Sequence, residues 1–200
     1  MSNQDAVYQP VDQLFLWYLG NPDKPVLIGD LNLVMHGRGV SLNYAPGWLK
    51  HGFALSEDLP LIAREYLPRH KDRAAGAVDD ARPDRWGERV IRHIERPSRL
   101  SLLEMLYFAG HERFGALSVS SSAAAYLPCH RNPLPSLADV DDLHGMVLAI
   151  MTGAEVDERK QRLMMPGTLG GARPKALIEI DDAPWIIKFA DGDDARHEPL

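Results

Sequence analysis

The sequence is poor in cysteine, in long apolar runs and in positive charge. Cys129 is the single cysteine among 200 residues, so a disulfide within the chain is excluded. No apolar run approaches the roughly 18 residues that a membrane span needs, and the polar start at residues 1–5 is unlike a signal peptide. With 28 acidic and 22 basic residues, the net charge of −6 argues against a general nucleic-acid-binding surface. We therefore expect a cytoplasmic protein that binds neither membranes nor nucleic acid directly.

The N-terminal part has the alternating pattern of strands. Residues 11–19 are rich in aromatic and branched side chains and end at a cluster of turn-forming residues. Apolar residues then alternate on both sides of residues 36–39, which predicts a hairpin and hence a small antiparallel sheet. Residues 69–83 are charged and have no clear apolar face, so they are predicted to form an exposed connection.

Downstream of this connection the apolar spacing becomes helical. Residues 86–94 place apolar side chains on one helical face, and this helix should end before Pro97. Ser101 and Glu104 have the spacing of a capping box, which predicts a second, buried helix. Ser136 has the character of a cap before a third amphipathic helix. An antiparallel sheet accompanied by these helices predicts an α+β fold.

The strongest functional signal lies near the end of the chain. A loop with glycines at 167, 170 and 171 leads into the apolar run 176–180, and a turn at 181–184 precedes a second apolar run at 185–189. Glycines let a backbone approach phosphate oxygens closely and expose its N–H groups, so the pattern is typical of a phosphate cradle. Glycines are also common in ordinary turns, and the loop alone leaves both interpretations open.

Three basic residues accompany this loop. Arg173 and Lys175 lie beside it in the sequence, and Lys188 interrupts the second apolar run. In a hairpin, Lys188 should point to the opposite face from Ile187 and Phe189. It either faces solvent or holds α- and β-phosphates, as the strand lysine of kinases does. The spacing does not fit a Walker loop.

Other candidate groups show weaker patterns. The eight histidines are scattered, and no pair has metal-ligand spacing with a suitable carboxylate. Acidic pairs at 79–80, 141–142, 181–182 and 193–194 are typical of turns and helix starts. We predict neither a metal site nor an acid–base pair from them.

Four segments together resemble the HipA family of bacterial serine/threonine kinases, which are toxins of two-gene toxin–antitoxin systems. They are Arg-Pro-Asp-Arg-Trp-Gly at 82–87, His-Glu-Arg-Phe-Gly-Ala-Leu at 111–117, Gly-Gly-Ala-Arg-Pro-Lys at 170–175 and Trp-Ile-Ile-Lys-Phe at 185–189. The resemblance covers nearly the whole chain and is most specific at the last two segments. It implies a HipA-like N-terminal subdomain at 1–125, followed at 126–200 by the start of a kinase ATP-binding lobe, with its Gly-rich loop and β-hairpin.

The resemblance also implies roles for individual residues. The implied contacts with ATP phosphates are Gly170, Gly171, Ala172, Arg173, Pro174, Lys175 and Lys188. Glu198 is the implied acidic partner of Lys188. Thr168 takes the place of a loop serine that is autophosphorylated in the family, which ejects the loop and switches the kinase off. The implied protein partner is a DNA-binding antitoxin of the HipB type.

A kinase also needs a catalytic Asp and Asp or Asn ligands for Mg²⁺, which a helical second lobe supplies. Only twelve residues follow Lys188, so this catalytic lobe is expected to be absent from the chain, which then corresponds to roughly the first half of such a kinase. Two functions are expected. The chain is either the ATP-binding part of a HipA-like kinase, using ATP and Mg²⁺, or a non-catalytic regulatory module that contacts an antitoxin or a partner kinase lobe.

Overall fold

A computed structural model describes residues 8–110, 115–127, 129, 133–164 and 172–190, and it has a mixed α+β architecture. The α+β prediction is confirmed. The strands are β1 (Gln13–Tyr18), β2 (Val26–Val34), β3 (Gly39–Tyr44), β4 (Glu65–Tyr66), β5 (Arg73–Ala74), β6 (Leu117–Ser120), β7 (Lys175–Ile180) and β8 (Ala183–Lys188). The helices are α1 (Pro46–His51), α2 (Arg85–Val90), α3 (Leu102–Phe108), α4 (Val140–Thr152) and α5 (Glu158–Gln161).

The first sheet has six strands in the order β4-β3-β2-β1-β6, with β5 pairing to β3. All pairs are antiparallel, as the alternation predicts, except β3–β5, which is parallel. Strands β2 and β3 approach closely at Gly29, where an added Cβ would lie 1.9 Å from the carbonyl oxygen of Asn43. A glycine is therefore required at this position of the sheet.

The prediction of an exposed connection at residues 69–83 holds for residues 69–73 and is wrong for residues 74–83. This segment contains β5 and a 3-10 helix at Gly76–Ala81, and its small apolar side chains are buried, namely Ala74, Ala75, Val78 and Ala81. Asp79 holds the segment together by accepting the backbone N–H of Ala74 at 2.7 Å and pairing with Arg73 at 2.9 Å. Alanine side chains are small, and here they lie among charged residues, so the sequence shows no apolar face that would predict their burial.

Helix α3 packs on one face of the first sheet. Its residues Leu103 and Leu106 are fully buried in the same hydrophobic cluster as Leu14, Leu31 and Leu42 of the strands. The predicted capping box is confirmed at its start. This cluster is the first core of the molecule.

A second core lies between helices and the C-terminal hairpin. Helix α2 continues as a π-helical turn at Ile91–Glu95, and its side chains pack with α4 and β7. The buried members are Trp86, Val90, Ile94, Leu143, Met146, Val147, Ile150, Val156, Met164, Ala176, Ile178 and Phe189. The second core therefore unites residues from both sides of position 125. The predicted division of the chain into domains 1–125 and 126–200 stays a prediction. The side chains of the second core pack across the proposed boundary.

Helix α4 is the longest helix of the described residues, with thirteen residues. The predicted cap Ser136 forms a capping box with Asp139 on a 3-10 turn at Leu137–Asp139, which leads into α4, and Gly153 ends the helix with a φ of 73°. None of the helices in the described part of the chain has the length and apolar character needed to cross a membrane.

Candidate functional site

The C-terminal hairpin is built around a tight turn. Strands β7 and β8 pair antiparallel from Lys175 opposite Lys188 to Ile180 opposite Ala183. The connection is only Asp181 and Asp182, both with positive φ, of 51° and 59°. The predicted turn at 181–184 is thus shorter than expected, because its last two residues already belong to β8. Two successive left-handed residues match the right-handed twist of paired strands.

The two faces of the hairpin have different surroundings. Ala176, Ile178 and Phe189 are buried in the second core, and Ile187 packs against it. Lys188 is exposed, one residue away from Ile187 along the strand. Side chains alternate along a strand, so Lys188 projects from the face opposite to Ile187, as the sequence predicts.

Lys175 is paired with an acidic residue far away in the sequence. Its Nζ donates to Oδ2 of Asp84 at 3.0 Å, across a separation of 91 positions. The two side chains are only 5% and 12% exposed. The other carboxylate oxygen of Asp84 accepts the backbone N–H of Gly87 at 2.7 Å and caps the start of α2. Asp84 therefore links the first turn of α2 to the first residue of β7.

Trp86 makes a second link between the same elements. Its indole N–H donates to the backbone carbonyl of Lys175 at 2.8 Å, and the ring is buried. Lys175 is consequently attached to α2 through its side chain and through its main chain.

The residues just before β7 are described from position 172. Ala172 and Arg173 are exposed and Pro174 is buried. The carbonyl of Pro174 accepts the N–H of Phe189 at 2.9 Å, which extends the hairpin ladder toward the loop. The end of the predicted phosphate loop therefore lies beside the last residues of β8.

Several predicted residues lie outside the described part of the structure. They are Thr168, Gly170, Gly171 and Glu198. The roles implied for them by sequence, and the roles of Ala172, Arg173, Pro174, Lys175 and Lys188 toward a nucleotide, stay predictions.

The charges at the open end of the hairpin are unequally compensated. Lys175 and Lys188 occupy directly opposite positions, and like charges at such positions repel each other. Asp84 neutralises Lys175, which reduces this repulsion. Within the described ranges, no carboxylate forms an ion pair with Lys188. Of the two opposed lysines, Lys188 is therefore the one with an exposed ammonium.

Sequence reasoning missed the roles of Asp84 and Trp86. Both belong to the segment 82–87, which contributes to the family resemblance, and Trp86 was predicted only as the first residue of an apolar helical face. Nothing in the local pattern indicates that this segment contacts Lys175. In the described ranges, no three His, Cys, Asp or Glu side chains form a group that could hold a metal ion.

Residues 25–120 match the family model described as the HipA N-terminal domain. The match includes β2 to β6, α1 to α3, and the segment that contains Asp84 and Trp86. The similarity to HipA proteins is therefore supported for this part of the chain, whereas α4 and the hairpin lie beyond it. A search of curated proteins finds no match to the chain.

Proposed function

We propose that this chain is the N-terminal part of a HipA-like serine/threonine kinase toxin and that its C-terminal hairpin binds the phosphates of ATP. The observation that carries the proposal is the position of Lys188, which is exposed at the open end of β8 and directly opposite the first residue of β7. Gly170 and Gly171 precede Lys175 by five and four positions in the chain. Residues 172–174 lead from these glycines to Lys175, the residue that lies opposite Lys188 in the ladder.

The glycine-rich loop and the ammonium of Lys188 would bind phosphate in complementary ways. Backbone N–H groups of a glycine-rich loop form an anion-binding concavity, because no Cβ prevents the close approach of phosphate oxygens. The ammonium of Lys188 adds a point charge on a strand whose other face packs into the second core. Packing of Ile187 and Phe189 limits the movement of β8, so the charge is presented at a defined place.

The proposed kinase context assigns the remaining chemistry to other residues. The catalytic Asp and the Mg²⁺ ligands would come from outside the described hairpin, in a lobe supplied beyond these residues. The match at residues 25–120 supports the HipA-like ancestry on which this assignment rests. In the same context, the partner is a DNA-binding antitoxin of the HipB type and the cellular location is the cytoplasm.

Binding of ATP by isothermal titration calorimetry tests the proposal. We expect Lys188→Ala to weaken ATP binding by about tenfold or more, which corresponds to about 1.4 kcal/mol. The matched control is Lys50→Ala, which removes an exposed lysine from α1 and should leave the affinity unchanged. Equal ATP affinity in wild type and Lys188→Ala would contradict the proposed nucleotide site.

We propose further that phosphorylation of Thr168 is a switch for this site. A phosphate ester at residue 168 would add negative charge to a loop that must accept the phosphates of ATP. The test is the intact mass of a full kinase containing this sequence after incubation with Mg-ATP. An unchanged mass contradicts the switch, and a gain of one phosphate that Thr168→Ala abolishes supports it.

A second candidate function is a non-catalytic module that contacts an antitoxin or a partner kinase lobe. It is favoured by the surface of β8, where Trp185 and Ile186 are 57% and 40% exposed. Aromatic side chains of this kind are frequent at protein interfaces. This function predicts no ATP binding by the chain and a loss of partner binding in Trp185→Ser, whereas the kinase function predicts the response to Lys188→Ala given above.

A further inference from the structure

We propose that Asp84 is a positioning residue for residues 172–174, the described end of the Gly-rich loop, and that it acts through Lys175. In this proposal, Lys175 fastens the start of β7 to α2, and Lys188 is the lysine that meets phosphate. The effect on ATP rests on the proposed function, whereas the fastening itself is independent of any nucleotide.

The geometry at Asp84 restricts where the ammonium of Lys175 can point. One carboxylate oxygen is engaged by the N–H of Gly87 at 2.7 Å, so the carboxylate is oriented by the helix start. The other oxygen holds Nζ of Lys175 at 3.0 Å. Both side chains are nearly enclosed, so solvent does little to weaken the pair.

The main chain of Lys175 is held at the same place. The indole N–H of Trp86 donates to its carbonyl at 2.8 Å, and the ring is buried in the second core. Residues 172–174 lead directly into this doubly attached residue. The end of the loop is therefore positioned by α2, which lies 89 to 91 residues earlier in the chain.

The two possible roles of Lys175 predict opposite effects of the same substitution. If Lys175 binds phosphate directly, Asp84 competes with the nucleotide, and Asp84→Asn should strengthen ATP binding. If Lys175 positions the loop, Asp84→Asn releases the attachment and should weaken ATP binding. The sign of the change separates the roles.

The experiment uses the full 200-residue chain and ATP as the probe, with affinities measured by calorimetry at several salt concentrations. We expect Asp84→Asn and Lys175→Met each to weaken binding about tenfold. The double variant should lose no more than either single variant, since both remove one attachment. The salt dependence should stay that of wild type for both, because neither removes a phosphate contact, whereas Lys188→Met should reduce it.

The matched control is Asp142→Asn. It removes the partner of Lys160 from an ion pair of 2.6 Å on the surface, with both side chains almost half exposed. This variant should bind ATP as wild type does. Trp86→Phe tests the other contact between α2 and Lys175. It removes the hydrogen bond to the Lys175 carbonyl, retains the ion pair, and should also weaken ATP binding.

Urea unfolding without ATP completes the test. The stability losses of Asp84→Asn and Lys175→Met should be strongly non-additive, and additive losses would contradict the attachment of Lys175 to α2.

If Lys188→Ala weakens ATP binding but Asp84→Asn binds ATP as tightly as wild type or more tightly, the positioning role is wrong and the proposed function stands. If wild type binds no ATP, the proposed function and the positioning role are both wrong, and the unfolding data still report on the fastening.

Discussion

The ammonium of Lys175 lies 3.0 Å from a carboxylate oxygen of Asp84, although 91 positions separate the two residues in the sequence. Asp84 belongs to the region that matches the HipA N-terminal domain, and Lys175 begins the hairpin beyond that match. The ion pair therefore connects the matched region to the candidate phosphate site. Because both side chains are nearly enclosed, its loss should affect the structure more than the loss of a surface pair.

Lys175→Met should lower the free energy of unfolding by about 3 to 5 kcal/mol, because it leaves the carboxylate of Asp84 without its cation in a nearly enclosed site. The measurement is urea unfolding followed by circular dichroism. Lys160→Met is the control, since Lys160 pairs with Asp142 at the surface, where solvent screens the charges, and its loss should lower stability much less. Similar losses in the two variants would show that burial of the first pair has no energetic consequence.

Trp86→Phe should lower the free energy of unfolding by about 1 to 3 kcal/mol, because the carbonyl of Lys175 loses its buried indole donor. Trp185→Phe, at a ring that is 57% exposed, should change stability by no more than about 0.5 kcal/mol. Both variants can be compared by the midpoint of urea unfolding. An unchanged midpoint for Trp86→Phe would mean that the indole bond contributes nothing to stability.

The carboxylate of Glu104 is fully buried at the start of α3. Burial raises its pKa, but hydrogen bonds from Arg99 and Ser101 outweigh burial and hold the pKa of Glu104 below its ordinary value of 4.5. The Ser101 hydroxyl donates to Oε2 at 2.5 Å, the N–H of Ser101 donates to Oε2 at 2.8 Å, and Arg99 Nη2 donates to Oε1 at 2.9 Å. Tyr8 also donates to Oε1 at 3.0 Å.

This lowered pKa predicts the direction of a pH effect on stability. The unfolded chain takes up a proton at Glu104 near pH 4.5, while the folded chain still resists it. The contribution of Glu104 is thus fully present above pH 4.5 and is lost as the pH falls through the lower folded value. Stability must therefore decrease with falling pH in this window.

Glu104→Gln should cost about 1 to 3 kcal/mol of stability at pH 7, and its deficit relative to wild type should shrink below pH 4.5. Thermal unfolding of both proteins across this pH range provides the measurement. Glu155→Gln, at an exposed position, is the matched control and should show no such change. A deficit that is the same at pH 7 and at acidic pH would contradict the assignment to Glu104.

Gly29→Ala should prevent normal folding or destabilise the chain severely, because the new Cβ would lie 1.9 Å from the backbone oxygen of Asn43. The backbone in the middle of a paired sheet can move aside only by breaking its hydrogen bonds to the neighbouring strand. Gly145→Ala is the control in α4, where an added Cβ meets no atom within 4 Å. It should stabilise the helix by up to about 1 kcal/mol. The two variants can be compared by soluble yield and thermal unfolding.

Asp182→Gly should stabilise the hairpin by a few tenths of a kcal/mol up to about 1 kcal/mol, because its φ of 59° favours glycine. Asp182→Val should do the opposite, since a β-branched side chain is strained in this conformation. Thermal unfolding gives the order of the three proteins. If valine is tolerated as well as glycine, the turn does not have the conformation described here.

Local patterns predicted most of the regular structure. The alternation around residues 36–39 predicted the hairpin of β2 and β3, and the Ser101–Glu104 spacing predicted the capping box of α3. Both signals depend on residues a few positions apart. Residues 74–83 were mispredicted because their burial comes from small side chains against a distant sheet. Contacts of that kind leave no periodic signal.

The candidate site was only partly predictable. Alternation along β8 was sufficient to predict that Lys188 and Ile187 face opposite ways. The same sequence grouped Lys175 with the phosphate contacts, and it contained no signal for the partner of Lys175. Only the packing of α2 against β7 brings Asp84 and Trp86 to that lysine.

By itself the sequence determined the local elements, the turn before β8 and the opposite facing of Lys188 and Ile187, because each depends on backbone preferences and side-chain periods within a few residues. The tertiary structure alone decided that α2 shares a core with α4 and β7, and that one of the two hairpin lysines is neutralised. The physical reason is that burial and ion pairing depend on distances in space between residues about 90 positions apart, which no local pattern encodes.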